Sequence, residues 1–540
     1  MKRHLKRWIC VALSCVMVAI LATGCGSGSA GGAKTTLNFA LASDISSLDP
    51  IHNYEVSSFC VVNNIAESLL TFDSDGVTLK PCLASSWEEV DSTTYTYQIR
   101  DDVCFSDGTP MTMDDVLFSL QRTMNPESSA DMAWLFDDVE SIEQTGDWEL
   151  TVKLANANPL WKYYAATSAC QIISKSYCEE KGDAYGTAEG NILATGPYVC
   201  DSWTMDSEIV LKKNENYWDK SADIDIDTIH YYIISDEAAR TLAMKSGQVD
   251  IIVSPSVDML SNLEEIPGVE ILQADSLYDD NVAFNCMKAP FDDENFRKAC
   301  AYAIDAVSIR ESVYGEYAED ATGLPFGKAM YTVAEDVWNE AEGEMESYAY
   351  DLDKAKEYLA KSAYPDGTDV TLMYYTKNAN KNEALAIQAN LAEIGVNVTL
   401  DEVSPGDYWS YVYGTITDDN DIRDYEMMVG FWIPDAVDPS GFANIMYNSN
   451  CIGRGGCNTA AYSNPDVDQL ILEANSSTDN TERSTILAEA IKTATDACPY
   501  KNLFYRKQVT AVNTDKLDVD YNVMWQYNLL VKDFKIKTAE

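Results

Sequence analysis

The sequence predicts an α/β fold, because helical and strand-like patterns follow one another along the chain. Residues 239–250 have the pattern of a helix, a glycine stop at Gly247 and a strand. The same order returns at 384–400, where a helical segment ends at Gly395 and an apolar strand begins at Val396. At 540 residues the chain corresponds to roughly three units of ordinary domain size, which is long enough to bury a large core.

The N-terminal residues 1–24 have the pattern of a secretory signal peptide. A basic segment precedes an almost wholly apolar run over 8–22, which is shorter than the ~20 residues needed to span a bilayer. The segment Leu21-Ala22-Thr23-Gly24-Cys25 resembles the bacterial lipoprotein box, which implies cleavage before Cys25 and lipid on its sulfur. We therefore expect 25–35 to be a flexible tether that holds the protein at the outer face of the bacterial cytoplasmic membrane. The alternative is an N-terminal anchor helix that is never cleaved.

The composition argues against some classes of partner. The formal net charge is −49, and a surface this acidic repels nucleic acid and anionic lipid, so we expect no nucleic-acid partner. Solubility alone explains the charge. The 32 tyrosines and 11 tryptophans either line a pocket, as rigid apolar faces with polar tips, or belong to the core.

Cysteine and histidine usage gives little sign of catalytic or metal chemistry. Cys451 and Cys457 flank a short glycine-rich loop, which in an oxidising compartment either closes as a disulfide or carries two thiols. No Cys-x-x-Cys occurs, and only His52 and His230 follow the signal segment. No Gly-x-Ser-x-Gly or His-Glu-x-x-His motif occurs either. We therefore expect no catalytic residue, no metal ligand and no cofactor.

Strands and helices can be assigned in order from the first described pattern onward. Residues 36–42 alternate loosely and predict a first strand, and 56–70 keep their apolar residues to one side of a helix. Residues 95–99 alternate as a half-exposed strand. Thr112 then caps a helix that has two acidic residues in its first turn.

Two blocks in this region carry a resemblance to a known family: Leu83-Ala84-Ser85-Ser86-Trp87, and the segment 95–116 with its turn Phe105-Ser106-Asp107-Gly108-Thr109-Pro110. They are similar to the signature of extracellular solute-binding proteins, family 5, which are the oligopeptide-, dipeptide- and nickel-binding receptors of ABC importers. Val103-Cys104 departs from the pattern, where the family usually has a basic residue. Further similar blocks follow in the family's order: Ala194-Thr195-Gly196-Pro197-Tyr198, Asn214-Glu215-Asn216-Tyr217-Trp218, Arg297-Lys298-Ala299 and Ala303-Ile304-Asp305. The resemblance therefore covers about residues 36–540.

The resemblance implies a periplasmic-binding-protein-like fold of two lobes joined by a two-strand hinge. The chain would cross between the lobes near Asn285 and near Arg506-Lys507, and the hinge would let the lobes close on a ligand. The implied division is 36–80, 194–284 and 507–540 for lobe I, 81–193 for a subdomain inserted in lobe I, and 285–506 for lobe II.

The candidate site follows an apolar run of strand length that continues into Gly430-Phe431-Trp432-Ile433. Pro434 cannot extend a ladder, so the strand should end there. Asp435 and Asp438 come next, and ligands of open α/β sheets bind beyond strand ends. Read alone, the motif is either a buried strand before an Asp-Pro turn or a carboxylate positioned for a cation.

The family resemblance favours the cation reading. It implies that Asp435 holds the α-ammonium of a peptide and that the main chain from Gly430 to Ile433 pairs with the peptide as an added strand does. Trp432 either lines the cleft or belongs to the core. Asp438 is expected to cap the following turn.

The function implied is that of a substrate-binding lipoprotein, not an enzyme, which captures short peptides and delivers them to an ABC permease with its ATPase subunits. One alternative is a receptor of the same fold for nickel, a metallophore or another organic solute such as an oligosaccharide. A less favoured alternative is an extracellular hydrolase. Arg454 is one candidate to meet a peptide carboxylate.

Overall fold

The fold is seen in a computed structural model, which describes residues 35–413, 425–453, 456–518 and 529–537. The predicted signal peptide at 1–24, the tether up to residue 34 with its lipid site Cys25, and Arg454 lie outside the described residues.

The strands are distributed along the whole described chain. They are β1 (Thr36–Leu41), β2 (Leu70–Phe72), β3 (Leu79–Pro81), β4 (Ala84–Asp91), β5 (Thr94–Ile99), β6 (Val139–Gln144), β7 (Glu149–Leu154), β8 (Tyr198–Thr204), β9 (Glu208–Lys213), β10 (Thr228–Ile233), β11 (Ile251–Val253), β12 (Val269–Asp275), β13 (Asp279–Phe284), β14 (Ala318–Asp320), β15 (Asp369–Tyr375), β16 (Asn397–Val403), β17 (Met427–Trp432), β18 (Tyr500–Asn513), β19 (Leu517–Asp518) and β20 (Lys535–Ile536).

Helices alternate with these strands, as the sequence predicts. They are α1 (Val56–Val62), α2 (Met113–Met124), α3 (Trp161–Tyr164), α4 (Lys175–Lys181), α5 (Glu237–Lys245), α6 (Val257–Glu264), α7 (Glu294–Ala303), α8 (Ala306–Val313), α9 (Glu335–Glu344), α10 (Leu352–Lys361), α11 (Asn378–Ala392), α12 (Pro405–Tyr413), α13 (Ser440–Phe442), α14 (Pro465–Ser476) and α15 (Asn480–Asp496).

One large mixed sheet organises the molecule. Its strand order is β16-β15-β17-β13-β18-β11-β1-β10-β9-β8, and β12 and β14 also pair with β18. We call β1 and β8–β12 the first half of this sheet and β13–β17 the second half, because the long strand β18 pairs with both. A separate antiparallel sheet has the order β4-β5-β7-β6.

The chain crosses between the halves at two adjacent places. The first crossing is the three-residue connection 276–278, between β12 and β13. The second lies inside β18, where its partner changes from β14 at Arg506 to β12 at Lys507. The predicted crossing near Asn285 lies at the far end of β13, because β13 pairs with β17 of the second half.

Each half has its own apolar core. Leu37, Ile229 and Tyr231 are buried in the core of the first half, and Phe284 and Leu372 are buried in the core of the second. The four-stranded sheet packs around a third group of buried side chains, which continues into the region between the halves. These separate cores are what a fold of two lobes and an added subdomain requires.

Most of the predicted elements are confirmed, and one helix is wrong in its length. In α2, the Thr112 hydroxyl accepts from the backbone N–H of Asp115, and the Asp115 carboxylate accepts from the N–H of Thr112, which makes a reciprocal cap. The helix predicted over 56–70 ends at Val62. It ends there because the buried Asn64 amide donates to the carbonyl of Cys60 and takes up the chain end in an irregular segment.

Candidate functional site

A cavity of about 390 Å³ lies between the two halves of the sheet, and we call it the central cavity. Its volume is in the range of small-molecule sites. The walls are mainly aromatic, from the α1 region, the first crossing, α12 and β17: Tyr54, Phe59, Tyr278, Trp409, Phe431 and Trp432. Glu55 is the one ionisable acid or base among the lining side chains that the structure describes, apart from tyrosine and cysteine.

The strand β17 presents one main-chain edge toward this region. β13 pairs with it along its full length, whereas the ladder with β15 stops at Met428. The hydroxyl of Tyr408 donates to the carbonyl of Val429 at 3.2 Å on the side that β15 leaves. Main-chain groups alternate in direction along a strand, so those of Phe431 point the same way as those of Val429. Phe431 and the residues after it line the cavity, so an extended ligand can pair there.

Asp435 lies beside the cavity, next to a lining residue. The hydroxyl of Tyr54 donates to its Oδ1 at 3.5 Å, which is a long hydrogen bond. Its Oδ2 is buried, and no hydrogen-bond donor among the described residues reaches it. Asp435 is therefore not part of the cavity wall itself but is separated from the cavity by the Tyr54 ring.

Burial controls the charge of this carboxyl. Desolvation raises the pKa of Asp435 to about 7, and the hydrogen bond from Tyr54 offsets only part of that effect. A buried carboxylate oxygen without a donor is costly, and a cation brought to it removes the cost. The site can therefore accept an ammonium group.

The structure treats the other predicted ligand-binding residues differently from one another. Trp432 and Ile433 both line the cavity and are half-buried. The indole N–H of Trp432 donates to the Gly441 carbonyl at 3.0 Å, so the ring is held in place while it lines the wall. Gly430 is not a lining residue. It pairs with Asn281 of β13, and a Cβ there would lie 3.4 Å from the Asn281 Oδ1.

Asp438 has a structural role. Its Oδ1 accepts from the backbone N–H of Ser440 at 2.9 Å, which confirms the predicted turn cap. Its Oδ2 accepts from Nη2 of Arg483 at 2.7 Å, and both side chains are almost completely buried. Asp438 is thus committed to the protein, which leaves Asp435 as the carboxylate of the motif with an unmet oxygen.

Cys451 and Cys457 are thiols in the structure, so the disulfide that was one of two predicted outcomes is not formed there. The Cys451 Sγ points to the carbonyl of Asn444, to which it donates at 3.2 Å. Cys457 is buried and lines the central cavity. The thiols thus serve two different environments, although the loop that joins them is short.

Several lining residues could not be predicted from the sequence. Tyr54 and Tyr278 lie outside any motif, and Trp409 belongs to a helix without a distinctive pattern. The run Asp279-Asp280-Asn281 carried a usable signal, since three polar residues inside an apolar strand indicate buried polar contacts. In the structure Asn281 donates to the Asp279 carboxyl at 3.0 Å and lines the cavity.

Two further searches of the described residues gave negative results. Among them, no helix is both long enough and apolar enough to cross a bilayer. The same part of the chain contains no cluster of three or more His, Cys, Asp or Glu side chains arranged to hold a metal ion.

Comparison with known proteins decides the family. The model of bacterial extracellular solute-binding proteins, family 5, matches residues 78–454, which is most of the chain. The chain belongs to this family. The resemblance read from its sequence blocks is confirmed.

Relatives of this family 5 protein align over nearly the whole chain. The probable D,D-dipeptide-binding periplasmic protein DdpA of Escherichia coli is 26% identical over 520 residues, which cover 94% of this chain and 96% of the relative. Heme-binding protein A of Haemophilus influenzae is 28% identical over 465 residues, which cover 81% of this chain and 80% of the relative.

A solved structure has the same fold. The periplasmic binding protein DppA of Helicobacter pylori, in complex with peptide STSA, superposes with a TM-score of 0.77 at 24% identity, over 93% of this chain and 98% of that one. The predicted periplasmic-binding-protein-like α/β fold is therefore confirmed for this family 5 protein.

Proposed function

We propose that this protein is the substrate-binding lipoprotein of an ABC importer, and that it captures short peptides in the central cavity and delivers them to a membrane permease. In this proposal lipid on Cys25 anchors it at the outer face of the cytoplasmic membrane. The ligand's α-ammonium binds Asp435, and its main chain pairs with the edge of β17.

The Asp435 carboxyl is the observation that carries the peptide proposal. Its Oδ2 is buried and has no donor among the described residues, whereas the nearby Asp438 is fully satisfied by Arg483 and a backbone N–H. An ammonium group supplies both a positive charge and N–H donors, so it is matched to this vacancy in hydrogen bonding. Peptides carry such a group at one end whatever their sequence.

The cavity walls support a peptide with apolar side chains. Six aromatic rings surround the cavity, and the open edge of β17 offers main-chain groups that any peptide can pair with. Pairing through the main chain ignores side chains, so one site can accept many sequences. The relative named for D,D-dipeptides agrees with this ligand class.

Ligand capture would use the two crossings as a hinge. We propose that the sheet halves move as the lobes 36–80, 194–284 and 507–540 on one side and 285–506 on the other, with 81–193 carried by the first. Tyr54 comes from the first half of the molecule and Asp435 from the second, so their contact forms only when the halves are close. Closure would exclude water and strengthen the charge pair.

The test compares Asp435→Asn with wild type by isothermal titration calorimetry at pH 7.5. The probes are Ala-Phe and Ala-Ala-Phe, each with a native and with an acetylated N-terminus. We expect the substitution to weaken binding of the native peptides on the order of 100-fold, since a buried charge pair loses one partner. Acetylated peptides should bind weakly to both proteins.

Asp401→Asn is the matched control. Asp401 is exposed on β16, and its substitution should leave affinity within about twofold of wild type, as surface changes usually do. Equal affinity of Asp435→Asn and wild type for the native peptides would remove the Asp435 assignment. Hemin and Ni(II) are titrated alongside, and tight binding of either with no peptide binding would replace the peptide ligand by another solute.

A further inference from the structure

We propose that Arg506, at the second crossing, binds the anionic group of the ligand, so that the site selects short zwitterions. This inference rests on the proposed function, because it assigns the opposite end of the ligand whose ammonium meets Asp435. The residue belongs to none of the sequence motifs that define the candidate site.

Arg506 touches the cavity wall directly. Its guanidinium carbon lies 4.3 Å from the ring centroid of Tyr278 and 5.2 Å from that of Phe431, and both rings line the central cavity. Its Nε donates to Oδ2 of Asp280 at 2.5 Å. Asp280 is buried and opposes Phe431 in the β13–β17 ladder. The guanidinium is thus fixed in position by a carboxylate and two aromatic faces.

Part of the guanidinium is still available. Arginine has five N–H donors, and only Nε has an acceptor within the described part of the chain. The four N–H groups on Nη1 and Nη2 remain, and 26% of the side chain is exposed. A guanidinium held this way presents a flat pair of donors, which is the geometry that a carboxylate accepts in a bidentate pair.

Other basic side chains of the second half are committed to the protein. Arg483 is almost fully buried against Asp438, and Lys501 is buried and donates to the carbonyls of Ser347 and Tyr348. Among the described residues, these cations have no such exposed donors beside the cavity wall. Arg506 is therefore the positive group that the structure offers to a ligand here.

The spacing suits a short ligand. Arg506 stacks on Phe431, and Asp435 follows Phe431 by four residues, which is at most about 14 Å of extended chain. A peptide of two or three residues spans about 7–11 Å when extended. The two charged groups are thus close enough to hold both ends of a dipeptide or tripeptide.

The charges around Arg506 do not oppose this role. Asp280 already balances the guanidinium, and the remaining acid that faces it is Glu383, whose Oε1 accepts from the Tyr314 hydroxyl at 3.2 Å. Burial raises the pKa of Glu383 to about 8, with a further contribution from Asp280, so Glu383 is mainly neutral at pH 7. An incoming carboxylate therefore meets one ionised acid rather than two.

The experiment measures how strongly the protein distinguishes a peptide acid from its amide. Ala-Phe and Ala-Ala-Phe are titrated as free acids and as C-terminal amides. Wild type should bind the free acids about 10- to 100-fold more tightly, the range expected for a charge-assisted hydrogen-bonded pair. Arg506→Lys should reduce this ratio, because an ammonium replaces the planar fork.

A paired substitution protects the test against misfolding. Arg506→Gln alone would leave Asp280 buried without its partner, so Asp280→Asn is combined with it, and the melting temperature is checked by circular dichroism. This double variant should bind acid and amide equally. A ratio equal to that of wild type in both the lysine and the double variants would overturn the inference.

The outcome separates this inference from the proposed function. If Arg506 has no role, N-acetylation still weakens binding in every Arg506 variant, because that discrimination depends on Asp435. If no free peptide binds wild type, the proposed function and this inference both fall.

Discussion

The Tyr54 hydroxyl lies 3.5 Å from Oδ1 of Asp435, although 381 residues separate them in the sequence. This contact joins the segment before α1 to the turn after β17, and so spans the central cavity. It is the one printed donor to a carboxyl whose other oxygen has no partner among the described residues. Because the contact is long, it stabilises the carboxylate only weakly, and the carboxyl remains ready to bind a cation.

Tyr54→Phe tests this contact. The substitution removes the donor that lowers the pKa of Asp435, so the carboxyl should be less ionised at pH 7. We expect affinity for Ala-Ala-Phe to fall about threefold, less than a full charged hydrogen bond is worth, because the contact is long. Titration calorimetry gives the number. Tyr350→Phe, at an exposed tyrosine, is the matched control and should bind as wild type does. Equal affinity for both variants would show that the hydroxyl plays no part.

The pH dependence of binding follows from the same carboxyl. Its pKa is raised to about 7, and the ligand's α-amine has a pKa of about 8. Affinity should therefore rise between pH 6 and 7.5, as Asp435 ionises, and fall above pH 8, as the amine loses its proton. The Asp435→Asn protein should lack the rise at low pH. A flat profile for wild type over pH 6–7.5 would contradict the raised pKa.

Stability without ligand should have the opposite dependence. Asp435 has a folded pKa of about 7, above its ordinary value of 3.8, so the folded state holds a proton that the unfolded state releases. Its contribution to stability is present below pH 4 and is lost as pH rises through 7. Thermal unfolding of wild type and Asp435→Asn at pH 5 and pH 8 measures this, since the variant lacks the effect. The prediction fails if the two melting temperatures shift equally.

The local features of the site could be predicted from the sequence, and its partners could not. Pro434 marked the end of β17, and the two carboxylates beyond it were recognisable in the motif. Tyr54 and Arg506 reach this place only through tertiary folding, because contacts to Asp435 and Phe431 leave no periodic trace in the chain.

The error in the first helix has a related cause. Ile65, Leu69 and Leu70 are all buried, so the apolar pattern that predicted a helix over 56–70 is real. The pattern cannot show that the chain beyond Val62 buries these side chains from an irregular segment and a strand. The decisive interactions are those of Asn64 with the carbonyl of Leu529 and the N–H of Val531, which come from the other end of the sequence.

Lipid anchoring has a direct test in Cys25→Ala. If the sulfur carries lipid, the wild-type protein partitions with membranes and incorporates a labelled fatty acid, and the variant does neither. Cell fractionation and metabolic labelling measure both. Cys104→Ala, which changes a half-buried cysteine elsewhere, is the control and should stay labelled. Label on the Cys25→Ala protein would place the anchor elsewhere.

The buried pair of Asp438 and Arg483 should govern stability rather than ligand choice. Removing one partner leaves an uncompensated buried charge, so Asp438→Asn should lower the free energy of unfolding by about 3–5 kcal/mol. The double variant Asp438→Asn/Arg483→Met replaces both charges and should recover much of that loss. Urea unfolding measures all three proteins. At a temperature where the single variant is folded, it should still distinguish native from N-acetylated Ala-Ala-Phe, since Asp435 is unchanged. Loss of that discrimination in Asp438→Asn, with Asp435 intact, would mean that the ammonium binds at Asp438 instead.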